Sequence, residues 1–215
     1  MTIARFIEDS DRVADIGTDH GRLPVWLAQN QSDGYIIATD IKEKPLARAI
    51  GTARRHNVED MIKFVLCDGL EGISEGEADT IVVAGMGGDT VVDILRKAPW
   101  IRSGVKLILQ PARSAEDLRR WLYESGFFIA DEALTQDRGR IYETLVARGG
   151  MPESPHPSRY FAGQRLLEKN DPLFREYIDK LIARIRKAAH GARASSKETD
   201  PERAEYFDTV LEGLI

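Results

Sequence analysis

Cysteine, long apolar runs and an excess of positive charge are all scarce in this 215-residue chain, and each scarcity removes a class of protein. Cys67 is the lone cysteine, so neither a disulfide framework nor a cysteine-built zinc site can form within one chain. The residue reads as a buried structural thiol. No apolar run nears the roughly 18 residues of a membrane span. The opening MTIARFIEDSDRV carries acids close behind a brief apolar stretch and has neither the h-region nor the cleavage site of a secretory signal. The expectation is a cytoplasmic protein with no membrane partner. What is present is ordinary for a globular chain, 42% hydrophobic and 30% charged, and the length suits one full-sized domain with a smaller appendage.

A net charge of −5 argues against nucleic-acid binding, because phosphate contacts need clustered Lys and Arg. The average conceals a segregation. Residues 1–158 hold 19 Lys and Arg against 25 Asp and Glu, residues 159–197 hold 10 against 4, and residues 198–215 hold 1 against 6. The basic segment contains Arg175, Lys180, Arg184, Arg186, Lys187 and Arg193, near or along one expected helix and its loop.

Over the first 150 residues, strand-like runs alternate with helix-like stretches. VADI (13–16), YIIAT (35–39), IKFVL (62–66), TIVVAG (80–85) and VKLILQ (105–110) are rich in Val and Ile, as strands covered on both faces should be. Between them, GRLPVWLAQ, EKPLARAIGTARRH, GDTVVDILRKA and SAEDLRRWLYESG carry apolar residues at helical spacing, and the last two open on Asp or Ser residues suited to capping. The pattern predicts an α/β fold with a parallel sheet between helices. FFIADEAL and RIYETLVAR, separated by TQDRGR, read as a terminal antiparallel pair. MPESPHP (151–157) has three prolines in seven residues and reads as a linker. Beyond it, FREYIDKLIARIRKAA and DPERAEYFDTVLEGLI predict two helices joined by HGARASSKET, an antiparallel hairpin. The chain therefore divides into a domain over 1–150 and a helical unit over 158–215.

Chemistry concentrates where the strands end. Asp15 to Gly21 reads DIGTDHG, a turn from strand to helix in which Gly17 lets backbone approach a ligand. Asp19 occupies the place of the middle glycine of a dinucleotide fingerprint, and an additional carboxylate is a poor neighbour for pyrophosphate. It suits a cofactor with a cationic end, which points to S-adenosylmethionine and disfavours a nicotinamide. Asp40 closes the second strand, 19 residues after Gly21, where an acid can accept hydrogen bonds from both ribose hydroxyls. Asp68 and Gly69 close the third, where the carboxylate can take an adenine amino group. Gly85, Gly87 and Gly88, around Met86, leave an open floor beneath a transferred methyl. Gln110, ending the fifth strand before Pro111, offers both donor and acceptor to a base edge. Arg113 lies where a substrate should enter, and Tyr142 reads as core.

VADIGTDHGRLP, ATDIK, CDGL, VVAGMGG, LILQP with the LRRWL helix, and RIYETL resemble, in the same order, the motifs of the bacterial TrmK tRNA (adenine-N1)-methyltransferases. The likeness covers roughly residues 3–150 closely and the helical tail more loosely. It implies a class I, Rossmann-like methyltransferase sheet with a C-terminal coiled-coil extension, S-adenosylmethionine as cofactor with S-adenosylhomocysteine as product, and tRNA as partner, methylated on ring nitrogen 1 of adenine 22. Carried over by position, it assigns the cofactor to Asp15, Gly17, Thr18, Asp19, His20, Gly21, Asp40, Ile41, Asp68, Gly69 and Gly85. Position at the strand ends gives the substrate Met86, Gly87, Gly88 and Arg113, and the charge of the basic segment adds Arg184, Arg186 and Lys187 as a grip on RNA. Only twelve residues precede the first expected strand, so a leading helix over the cofactor would be abbreviated here or begin upstream.

Asp19 and Gln110 are the candidate catalytic groups, since an acceptor beside the exocyclic amine stabilises charge developing on the methylated ring. Asp19 equally suits the cofactor amine. Two rival readings stay open: a methyltransferase for a small molecule or protein, and a non-catalytic RNA-binding module that keeps the fold alone.

Overall fold

Seven strands form one mixed sheet in the order β3-β2-β1-β4-β5-β7-β6. In the computed structural model, which describes residues 2–31, 34–151, 155–194 and 200–215, these are β1 (Arg12–Ile16), β2 (Tyr35–Asp40), β3 (Ile62–Leu66), β4 (Thr80–Ala84), β5 (Lys106–Gln110), β6 (Phe127–Asp137) and β7 (Arg140–Gly149). The first five run parallel, and β6 and β7 close the sheet as an antiparallel pair, with β7 against β5. Strand order reverses between β1 and β4. In open α/β sheets that reversal opens a crevice at the carboxyl ends of the strands.

Period-two alternation sorts the strand side chains onto two cores. Val13, Ile36, Val82 and Ile108 face α1 (Arg22–Asn30) and α2 (Glu43–Arg55), together with Ile3 from the N-terminal turn of helix. Ala14, Ile16, Ile81, Val83, Leu107 and Leu109 face α3 (Gly88–Arg96) and α4 (Ala115–Glu124). The expected α/β class and its seven-stranded methyltransferase-type sheet are therefore observed.

Two helix starts differ from the sequence expectation. Ser114 precedes α4 with φ of 56° and its hydroxyl makes no capping bond, and the cap position of α3 falls on Gly87 rather than on Asp89. The cause is close packing of one start on the other. Arg113 carbonyl accepts the Gly88 N–H at 2.9 Å, and a side chain on Gly88 would run into the Ser114 carbonyl.

Beyond the sheet come α5 (Ser158–Phe161), α6 (Gln164–Glu168), α7 (Phe174–Ala194) and α8 (Pro201–Glu212). Asp200 caps α8 by accepting from the Arg203 N–H at 2.9 Å, with Pro201 in the first turn. Ile178, Leu181 and Ile185 of α7 pack with Val210 of α8 against Leu134 of β6 and Ile141 of β7. The helix α7 takes in HGARA from the expected loop. Residues 195–199 of that loop and 152–154 of the expected linker lie outside the described residues. The two short helices α5 and α6 were not legible, being too brief to show a period.

A buried charge cluster fastens this helical unit to the sheet. Arg119 of α4, fully buried, donates to Glu132 of β6 at 3.0 and 2.8 Å and to Glu143 of β7 at 2.6 Å. It also reaches the Tyr160 carbonyl at 3.3 Å. The second Glu132 oxygen accepts the Arg165 N–H at 3.2 Å. Burial raises the Glu132 carboxyl above its ordinary range, opposed by the Arg119 charge. Among the described residues no helix is long and apolar enough to cross a membrane.

Candidate active site

The turn after β1 is built by glycines whose side-chain space is already taken. Gly17 has φ of 73°, and a Cβ there would overlap the Met86 methyl. Gly21 has φ of 67°, and a Cβ there would sit 2.9 Å from that of Ala49 on α2. Backbone bonds then fix the loop between them: the Thr18 N–H donates to Thr39 at 2.8 Å and the Gly21 N–H to Thr18 at 2.9 Å.

Asp40 holds the neighbouring turn to this one. Buried at the end of β2, it accepts the Asp19 N–H on one oxygen at 3.2 Å and the Lys42 N–H on the other at 3.0 Å. A cavity of about 610 Å³ opens in front, lined by Gly17, Thr39, Asp40, Ile41, Cys67, Asp68, Gly69 and Met86, with Thr90 and Lys97 among its other walls. Ile41 is exposed at its edge, and the buried Thr39 hydroxyl has no hydrogen-bond partner among the described residues. Cys67 corrects the expectation of a buried thiol: it is half-buried and forms part of this wall. Asp68 lines the same wall, where Lys97 binds its carboxylate at 2.5 Å.

Asp15 lies behind the turn. Burial pushes its carboxyl from 3.8 to about 6; the Thr18 hydroxyl opposes the rise, without meeting hydrogen-bond geometry, and the Asp40 charge adds to it. A group that holds its proton more tightly in the folded state lends stability at low pH and loses it as pH rises. Between about pH 4 and 6, the stability of wild type relative to Asp15→Asn should fall by about 2–3 kcal/mol and then level off, measured by urea unfolding of both proteins. A difference that rises over that interval would show that the carboxyl is ionised when folded.

The structure does not bring every expected residue to the cavity. Asp19 has φ of 46°, and its carboxylate meets Arg48 of α2 at 2.6 Å and His20 at 3.4 Å, side chains that line a different groove. The carboxylate expected beside the exocyclic amine or the cofactor amine therefore points to α2 and away from the cavity lining. With its N–H committed to Asp40, the residue turns its side chain outward. Gly88 is likewise a packing glycine, its N–H committed to Arg113. Gly85 keeps the open space expected of it: φ is 78° and nothing lies within 4 Å of an added Cβ. The Gly85 N–H binds the Gln110 carbonyl at 3.0 Å, while the Gln110 side-chain amide donates to Thr144 of β7 at 2.9 Å. Gly87 pairs with Arg113, whose side chain covers it.

The basic segment is less available than its composition suggests. Arg175 pairs with Asp179, Lys180 with Glu176, Arg193 with Asp208, and Arg184 with Glu116 of α4 at 3.1 Å. Arg186 and Lys187 are exposed, and no ion pair involves them among the described residues.

A seven-stranded sheet of this order, with a glycine turn after β1 and a buried acid ending β2, is a Rossmann-like methyltransferase fold. Residues 1–145 match the methyltransferase-domain family, and the chain belongs to it. More particularly, it is 37% identical over 151 residues, 70% of its length, to the tRNA (adenine(22)-N(1))-methyltransferase of Bacillus subtilis. The chain spans 63% of that relative's own length, and 66% and 61% of two curated Mycoplasma relatives. The crystal structure of B. subtilis TrmK superposes with a TM-score of 0.86 at 28% identity, covering 99% of this chain and 94% of that one. A Streptococcus pneumoniae protein solved in complex with S-adenosyl-L-methionine gives 0.82 at 27% identity, over 98% of this chain and 96% of that one.

Proposed function

We propose that this chain transfers a methyl group from S-adenosylmethionine to ring nitrogen 1 of adenine 22 in tRNA. The observation that carries the cofactor is the Gly17–Asp40 cradle. Gly17 brings backbone to the cavity edge, Asp40 offers acceptor lone pairs where a ribose diol would lie, and Ile41 supplies an apolar surface for a base. Asp68 stands where an adenine amino group can donate to it, after exchange with Lys97. When bound, the cofactor supplies an electrophilic methyl on a sulfonium.

The chain's own contribution is position and exclusion of water. Met86 seats against Gly17 at the cavity wall, and Gly85 leaves space in which a flat acceptor can approach. Thr144 takes the Gln110 amide N–H, which leaves the side-chain carbonyl as the acceptor this reading assigns to an exocyclic amine, where it would stabilise charge that develops on the methylated ring. An adenine inside folded RNA must leave its stack to reach this point, at a cost of a few kcal/mol, which requires a grip on the surrounding RNA. Arg113 beside Gly87 and Arg186 and Lys187 on α7 are the positions this reading assigns to that grip.

The test is label transfer from S-adenosylmethionine to an unmodified tRNA transcript and to one carrying guanine at position 22. Label in the first and background in the second is expected. Equal label in both would move the acceptor elsewhere, and no label despite cofactor binding would direct the search to small-molecule or protein acceptors.

A further inference from the structure

The pairing pattern on α7 leaves the anchoring of a large polyanion underprovided, while the opposite edge of the sheet carries cations with few acids among them. On α2, Lys44, Arg48 and Arg55 follow one helical face with Ala47, Gly51 and Thr52 between them. Together with His20 they line an open groove of about 570 Å³. Glu43 is the lone acid within α2, and Glu59 is occupied by Arg54 at 2.7 Å. Lys44 takes part in no ion pair among the described residues, and Arg55 meets only the Thr52 hydroxyl, at 3.1 Å. Gly51 keeps the groove floor low: glycine weakens a helix interior, yet an added methyl would have room, meeting Arg55 Nη1 at 3.7 Å. Packing within the chain does not require it.

The groove is tied to the active site. Arg48 grips Asp19, and the Asp19 N–H donates to Asp40 in the cofactor cradle. Gly21 packs on Ala49, so the exposed Arg22 at the start of α1 lies beside the same helix.

We infer that the Lys44–Arg48–Arg55 face of α2 is a docking surface for the tRNA phosphate backbone, an inference that rests on the proposed function. Charge complementarity selects this occupant, because guanidinium forks and a lysine along a groove match a run of phosphates. Sheet geometry gives it a purpose. α2 packs near the β3 edge and α7 packs on Leu134 of β6, and six inter-strand intervals separate those edges by about 29 Å. A tRNA held at α2 and at Arg186 and Lys187 would bridge the crevice in which the cofactor cavity opens.

The experiment measures tRNA Kd across a salt series for the full chain, for the Lys44→Gln/Arg55→Gln double variant, and for Arg102→Gln as a change of like charge before β5, at the far ends of the strands. S-adenosylmethionine affinity, read by calorimetry, verifies that each variant is folded. The double variant should bind tRNA roughly tenfold more weakly at physiological salt, and its log Kd against log salt slope should drop by about 1.4–1.8, at 0.7–0.9 per lost phosphate contact. Arg102→Gln should match wild type. An unchanged Kd and slope in the double variant, with wild type binding tRNA, would overturn the α2 assignment and leave the proposed function standing. A wild-type chain that does not bind tRNA would overturn both.

Discussion

Asp40→Ala should weaken S-adenosylmethionine binding by at least about 100-fold, which corresponds to about 3 kcal/mol. Two losses combine in that figure. The carboxylate is the acceptor the proposed site offers to a ribose, and charge-assisted hydrogen bonds contribute about 1.5–3 kcal/mol. It also holds the Asp19 and Lys42 N–H groups, so its removal releases the turn after β1 and the entry to α2 together. Asp40→Asn retains one acceptor oxygen and should lie between, about tenfold weaker than wild type. Calorimetric titration of the three proteins separates these values, and an alanine variant within threefold of wild type would remove Asp40 from the cofactor site.

Arg119→Met should lower global stability by about 3–5 kcal/mol, because it strands two carboxylates, one of them buried to 1% exposure, without their cation. Glu132 would take up a proton to escape that charge, so the loss should be larger at pH 8 than at pH 5. Arg119→Met combined with Glu132→Leu should recover part of it, since apolar replacement of a buried pair removes the desolvation cost on both sides. Denaturant unfolding of the three proteins gives the comparison. A single variant within 1 kcal/mol of wild type would mean that the cluster does not anchor the C-terminal helices.

The cluster also marks the limit of what the sequence conveys. Strands β1 to β5 were legible because each is a short apolar run rich in Val, Ile or Leu, and the glycines and acids that close β1 to β4 placed the crevice. Asp40, Gly17 and Asp68 were singled out for that reason, and all three line one cavity. Arg119 sits in LRRWL, where nothing distinguishes it from Arg120, and its partners are 13 and 24 residues away on strands whose pairing a linear reading does not specify. Asp19 was singled out by its spacing in the glycine turn. The backbone twist at that residue, which directs the carboxylate to Arg48, is a property of three-dimensional packing. The α7 cations could be counted in the sequence but their pairing could not, since Glu116 and Asp208, the partners of Arg184 and Arg193, come from other helices.

Enzymatic digestion of a tRNA incubated with the chain and S-adenosylmethionine, followed by mass spectrometry of the nucleosides and mapping of the modified position, tests the central claim most directly. One new species is expected, 1-methyladenosine, located at position 22 and absent when Asp40→Ala replaces wild type. A different methylated nucleoside, or 1-methyladenosine at another position, would contradict it.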